Sequence, residues 1–322
     1  MTTSPGFLIE RADARHRDFV LHLLSEHLPG SDVGRRYTWL YEQNPHGRAV
    51  TAIARDERSG EPLGITSVFP RRMLIAGRVR LGSIGGDGYV RPSARRRGIA
   101  TAMHRASLEM MRAEGVEVMF GPPEPHNLRA LERAGARIVC HVRRFARPRL
   151  LQSILGPLGR LAARGARLVP IEGRDARVDR IFERAVDDTV VTPVRDAAHY
   201  AWRFVESPSR AQRAFVVLSR DEPLGLCVLE HAARRVALVD LVAHPDDFGH
   251  ALSIIASSSG ADALVTQLNE RGPNAGTLGR AGFFPREGKP FQVHAREGMD
   301  PAVFDARRWY YAWGDGDLDR VL

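Results

Sequence analysis

The chain has 322 residues, which is long for one ordinary core and suits two domains of middling size. Hydrophobic residues make up 43%, enough for two cores, and no apolar stretch reaches the roughly 18 residues that span a bilayer. The net charge of +9 rests on 47 Lys and Arg residues, of which Lys289 is the single lysine; scattered arginines and only 7% aromatics read as compositional bias, not as a nucleic-acid surface.

In chain order, Phe7–Ala12 reads as a strand, and Asp13–Leu28 has helical period ending at Pro29-Gly30. Val33–Gln43 reads as a second helix stopped by Asn44-Pro45, and Ala49–Arg55 as a strand. A turn at Arg58-Ser-Gly-Glu-Pro leads into the return strand Leu63–Phe69. Strand continues over 73–76 and 79–90. A helix over 99–113, a short strand over 116–120, a helix over 126–134 closed by Gly135 and a strand over 136–145 complete this half. Hairpins followed by strand-helix-strand crossovers predict an α+β fold with a mixed, mostly antiparallel sheet flanked by helices. Residues 148–170, with Pro148, Pro157 and Pro170 around a Leu/Arg segment, read as a linker; its arginine-rich face leaves a membrane-surface helix as the alternative. Residues 171–322 repeat the same element order weakly. The expected domains are therefore 1–147, a linker 148–170, and 171–322.

Residues 1–6 carry no basic stretch followed by an apolar run, so no secretory signal is expected. Cys140 and Cys227 lie in apolar surroundings and are expected to be buried thiols, and no Cys/His cluster has zinc-ligand spacing. The expectation is a cytoplasmic protein without a metal.

The chemistry concentrates in Tyr89-Val-Arg-Pro-Ser-Ala-Arg-Arg-Arg-Gly-Ile-Ala-Thr. A strand ending at Val90 gives way to a basic loop and then a helix. The first amides of a helix have no intrahelical acceptor, and the helix dipole adds partial positive charge there. With Arg95, Arg96 and Arg97 beside them, and Gly98 allowing close approach, they suit a diphosphate. Ile99 and Ala100 open the helix, and Thr101 adds a hydroxyl.

This pattern resembles the GNAT superfamily of N-acetyltransferases, whose acyl-CoA loop Arg/Gln-x-x-Gly-x-Gly/Ala is matched by Arg95, Gly98 and Ala100. The resemblance covers most of residues 7–147. More loosely, the whole chain resembles bacterial two-domain members through Trp39-Leu-Tyr-Glu-Gln-Asn-Pro, Trp202-Arg-Phe and Trp309-Tyr-Tyr. It implies two tandem GNAT-like domains, the first binding acetyl-CoA or another acyl-CoA. Tyr89, Val90 and Asn127 would join residues 95–101 as cofactor contacts.

Acyl transfer to an amine requires a positioned neutral amine and a proton acceptor. Asp87, in Gly85-Gly-Asp-Gly, is the first candidate base, and Glu124 and His126 are the others; Asn127 or His126 could instead cap the following helix. That helix, Leu128-Arg-Ala-Leu-Glu-Arg-Ala, lacks the tyrosine that many members use as an acid. In the second half, Val242-Ala-His-Pro-Asp-Asp-Phe-Gly offers two carboxylates where a diphosphate needs positive charge, so that domain is expected to shape the substrate cleft, with Tyr200 and Trp202 as its substrate contacts and the Trp309-Tyr-Tyr segment beside them. The expected activity is transfer of an acyl group to a small-molecule amine, with no nucleic-acid partner. The alternatives are a non-catalytic acyl-CoA-binding scaffold and an aminoacyl transferase of the peptidoglycan-bridge type.

Overall fold

A computed structural model describes residues 2–4, 6–148, 151, 165–259, 262–317 and 321. The chain divides into two compact units, and neither is a contiguous stretch of sequence. The first comprises residues 1–72, 80–138 and 291–299; the second comprises 73–79, 139–290 and 300–322.

The first unit begins with strands β1 (Thr2–Ser4) and β2 (Phe7–Arg11) and helices α1 (Arg17–His27) and α2 (Val33–Tyr37). The expected single helix over 33–43 is in fact two pieces, because the backbone widens into a π-turn at Thr38–Glu42. Strands β3 (Val50–Asp56), β4 (Pro62–Ile75) and β5 (Arg78–Val90) follow, then α3 (Ile99–Ala113), β6 (Val118–Gly121) and α4 (Pro125–Arg133). β4 runs unbroken through Pro70, where sequence suggested two strands. The sheet order is β1-β2-β3-β4-β5-β6, with β5 and β6 parallel. α3 packs Met103 and Ala106 against Phe7, Ile9, Ala52 and Ala54 of the sheet. Of the apolar positions Met103, Ala106, Leu108 and Met111 that make this helix amphipathic in sequence, Met103, Ala106 and Met111 are buried and Leu108 is half-buried.

The second unit takes most of β7 (Arg137–Arg147), then β8 (Ala166–Pro170), α5 (Ala176–Ala185), β9 (Thr192–Pro193) and α6 (Ala197–Tyr200), which also runs into a π-turn, Ala201–Val205. Strands β10 (Gln212–Ser219), β11 (Glu222–Ala232) and β12 (Arg235–Ala243), helix α7 (Pro245–Ser258), strand β13 (Ala263–Asn269), helix α8 (Ala275–Arg280) and strand β14 (Phe284–Ala295) complete the order. The sheet order is β8-β10-β11-β12-β13-β7, with β12 and β13 parallel. One core lies against α7, around Phe248, Leu252 and Ile255; the other lies against α5, around Val178, Ile181 and Phe182.

Each unit therefore repeats a meander, a parallel crossover and a π-turn. Each also crowds a glycine against the backbone of its crossover strand. A Cβ on Gly64 would lie 2.6 Å from the Tyr89 carbonyl oxygen, and one on Gly225 would lie 2.6 Å from that of Val242. The boundaries differ from those expected from sequence. Past Val139, β7 pairs antiparallel with β13, from Asn269 opposite Val142 to Leu264 opposite Arg147, inside the second unit. In return, residues 292–295 of β14 pair with β6 in the first unit, and Phe291 and Val293 are fully buried there. The expected linker is also shorter, since β8 pairs with β10; residues 149–150 and 152–164, including the possible membrane-surface helix, lie outside the described residues. Both cysteines are buried and free, and burial raises both thiols, Cys140 to about 12.

Candidate active site

The site of the first unit grows from the divergence of two parallel strands. β5 and β6 pair from Gly82 opposite Val118 to Ile84 opposite Phe120, and β5 then runs on to Val90. The pairing stops at Ile84, and the β5 segment that follows is Gly85-Gly-Asp-Gly. A Cβ on Gly88 would lie 3.6 Å from Thr66 Oγ1 and 3.9 Å from Asn127 Nδ2. Thus β4, β5 and the first turn of α4 meet at Gly88, beside the side chains of Thr66 and Asn127.

At the end of β5 a short 3-10 turn, Pro92–Ala94, leads into residues 95–98 and α3. The loop is pinned on both sides, because Ala94 and Ile99 are buried in the core that holds Met103. Between them the chain turns through left-handed backbone at Arg96 (φ 64°) and Gly98 (φ 81°). The first helical bond runs from the Ala102 amide to the Gly98 carbonyl at 3.0 Å, so the amides before it lack intrahelical acceptors. α3 is 15 residues long with no acidic residue in its first turn, which leaves its dipole unopposed.

The three guanidinium groups are not equivalent. Arg95 Nε donates to the Val90 carbonyl (3.1 Å), closing the loop on the strand end. Arg97 Nη2 donates to the Gly6 carbonyl (3.0 Å) and lies 3.8 Å from Asp56. Arg96 is exposed and has no bonding partner among the described residues. Tyr89 does not face the core: its hydroxyl donates to Glu26 (3.2 Å) and its ring stacks on His27. Glu26 also accepts from Arg91 (2.7 Å), which holds its carboxyl below the usual carboxylate range.

Asp87 departs from the role expected of a free base. It is 6% exposed, and its carboxylate accepts from Arg36 Nη2 (2.9 Å) and from the Tyr41 hydroxyl (2.8 Å). Tyr41 in turn accepts from Ser67, whose hydroxyl lies 3.0 Å from that of Thr51. Burial, then the adjacent Asp87, pushes the Tyr41 hydroxyl well above its ordinary value. Glu124 is exposed and occupies the N-cap position of α4 without a side-chain cap bond, and Asn127 lies inside the helix. His126 lies in its first turn. His104 on α3 is partly buried, and burial lowers it to about 4.

Tyr200 and Trp202 are not placed to touch a substrate. They are 0% and 2% exposed in the second unit's core, and the Tyr200 hydroxyl donates to Asp240 (2.9 Å). The Trp309-Tyr-Tyr segment is equally buried. It fills the space where β12 and β13 diverge. Their pairing ends at Leu238 opposite Thr266, after which Ala312 bridges Leu268, the Asn269 amide donates to the Tyr311 carbonyl, and the Tyr310 hydroxyl donates to the Leu241 carbonyl. The diphosphate loop has no counterpart either. Only His244 separates β12 from α7, and Asp246 and Asp247 stand in that helix's first turn.

The residues sequence reasoning missed are Arg36 and Tyr41. Their signal was present as a repeat, since Arg195 and Tyr200 hold Asp240 just as Arg36 and Tyr41 hold Asp87. Both aspartates stand five residues before a proline, Pro92 and Pro245.

Residues 13–139 match the acetyltransferase (GNAT) domain family, and this segment is a GNAT acetyltransferase domain. No curated protein matches the sequence. Among solved structures, a GCN5-related N-acetyltransferase from Anabaena variabilis superposes with a TM-score of 0.68 at 11% identity, covering 90% of this chain and 72% of that one. Another from Kribbella flavida gives 0.65 at 18% identity, covering 95% and 75%. The fold is thus α+β and GNAT-like.

Proposed function

We propose that the protein is an acyl-CoA-dependent N-acyltransferase that moves an acetyl or other acyl group to a small-molecule amine, with one cofactor site, in the first unit. The observation that carries this reading is the pinned loop before α3, with unpaired amides and an exposed Arg96, at the end of the strand that leaves its parallel partner β6 after Ile84. These residues fit acyl-CoA: the amides of residues 98–101 and the arginines would hold the diphosphate, and the glycine-rich segment with Thr66 and Asn127 would accept the narrow pantetheine arm. A bound acyl-CoA supplies an already activated thioester. The chain's own tasks are then to align the amine, exclude water and accept a proton. With Asp87 committed to Arg36 and Tyr41, the base falls to Glu124 or His126 at the start of α4, or to solvent.

The intact acyl-CoA-type loop, with Arg95, Gly98 and Ala100 in place, weighs against an aminoacyl-tRNA donor. The engagement of Asp87 and the lack of an α4 tyrosine favour, as a second reading, acyl-CoA binding without turnover. Acetyl-CoA titration by calorimetry, followed by thiol release against pooled amines, separates them. Binding with amine-dependent thiol release supports the enzyme, binding without it supports the second reading, and no binding sinks both. Among the described residues no helix is long and apolar enough to cross a membrane.

A further inference from the structure

Asp87 combines three features rarely found together in one residue. It is buried, it forms an ion pair 51 residues distant in sequence, and it holds left-handed backbone (φ 50°) inside a strand, near its end. Only glycine adopts such a φ without cost, although Asp is among the residues that tolerate it. Strained backbone persists only where surrounding structure imposes it, and an observed outlier is a reason to look for function.

The second unit provides an internal control. Asp240 has the same ligands, Arg195 Nε at 2.9 Å and the Tyr200 hydroxyl at 2.9 Å, yet its φ is not positive. The buried cluster therefore does not itself require the kink. What differs is the surroundings. In the second unit the diverging strands are filled by residues 309–312, whereas in the first the kink follows the last β5–β6 pair, Ile84 opposite Phe120, and is flanked by Gly86 and Gly88.

We propose that Arg36 and Tyr41, acting through Asp87, are positioning residues that hold the kink of β5 so that the backbone of residues 86–88 faces the acyl end of the cofactor site. Tyr41 is itself fixed by Ser67 and Thr51, and its ring packs edge-on against Phe69 and stacks on Tyr37. The kink is thereby tied to β3, β4 and the π-turn at once. A buried carboxylate holding two donors is a rigid anchor, because losing either donor leaves charge unsatisfied in a low-dielectric setting.

This inference rests on the acyl-CoA reading, and amide chemical shifts separate the two. In the unaltered protein, CoA and acetyl-CoA should both shift the amides of residues 96–99, while residues 86–88 should respond only to acetyl-CoA. Tyr41→Phe should keep the shifts at 96–99 and acetyl-CoA affinity within about twofold, but abolish the acetyl-specific response at 86–88. Thiol release with an accepted amine should then fall about tenfold or more, in kcat rather than KM. Arg36→Gln serves the same purpose if Tyr41→Phe fails to fold. If both fail, the acetyl-specific response of the unaltered protein still decides. Silence at 96–99 overturns the acyl-CoA reading and this inference with it. Shifts at 96–99 without an acetyl-specific response at 86–88, or a response that survives Tyr41→Phe, overturns the inference alone.

Discussion

The two units start from the same plan and part at the end of the parallel crossover. In the first, residues 91–98 lie between strand and helix, carry left-handed turns at Arg96 and Gly98, and place no acidic residue in the first turn of α3. In the second, His244 alone makes the connection, two carboxylates follow it, and the strand gap is filled from within by Tyr310 and Ala312. Charge alone would have suggested a weakened second site. The geometry goes further, since the loop is gone and the gap is occupied. On the proposed reading the fold is retained in the second unit while its ligand chemistry is lost, because packing depends on the buried faces and ligand binding on a few terminal amides.

The largest effect tests the exchange of strands. A chain ending at residue 148 lacks residues 291–299, leaves the edge of β6 unpaired and uncovers Phe120. It should show no cooperative thermal transition and no acetyl-CoA binding. A monomeric, cooperatively folding fragment would break the account of the two units.

Next is the filled gap. Trp309 is fully buried and its indole nitrogen donates to the Val303 carbonyl at 2.8 Å. Trp309→Ala should cost about 3–5 kcal/mol of stability, read from denaturant titration, while acetyl-CoA affinity of the folded fraction stays within about twofold. A large loss of affinity would mean that this segment serves the cofactor after all.

The loop comes third. Gly98→Glu places a bulky anion at a left-handed position beside the unpaired amides. Acetyl-CoA affinity should fall at least tenfold, about 1.4 kcal/mol, with the melting temperature lowered only slightly. Unchanged affinity by calorimetry would remove the loop from the site.

The smallest effect concerns the packing of α3. Burial holds His104 neutral down to about 4, against an ordinary value near 6.5. Between those values the unfolded chain binds the proton first. Stability present above about pH 6.5 is therefore lost as pH falls toward 4. His104→Gln should flatten the melting temperature across that window; an identical slope would show that His104 is not buried in solution.

Much of this was legible in the sequence, for identifiable reasons. Helix α3 announced itself by the spacing of Met103, Ala106, Leu108 and Met111, and the loop by a strand end, a proline and Arg95–Gly98 in series. Both are local patterns. The π-turns were hidden because Trp39 and Tyr41 are compatible with a plain helix. β14 was hidden because Pro285, Gly288 and Pro290 interrupt it and its partner β6 lies far away in sequence. The aromatics Tyr200, Trp202 and Trp309 looked like a substrate wall, but large aromatics fill cores as readily as clefts, and here the hydroxyl of Tyr200 already has a buried partner. Asp87 looked like a base for the same reason: a short segment does not reveal an arginine 51 residues away.

The central claim is that one unit carries a cofactor site and the other has closed its own. Titration of the full chain with acetyl-CoA tests it most directly. The account predicts a stoichiometry of one per chain, with affinity at least tenfold weaker in Gly98→Glu and unaffected by reversing the charge of Asp246 and Asp247 to lysine. A stoichiometry of two, or a crystal structure with acetyl-CoA beside Phe248, would contradict it.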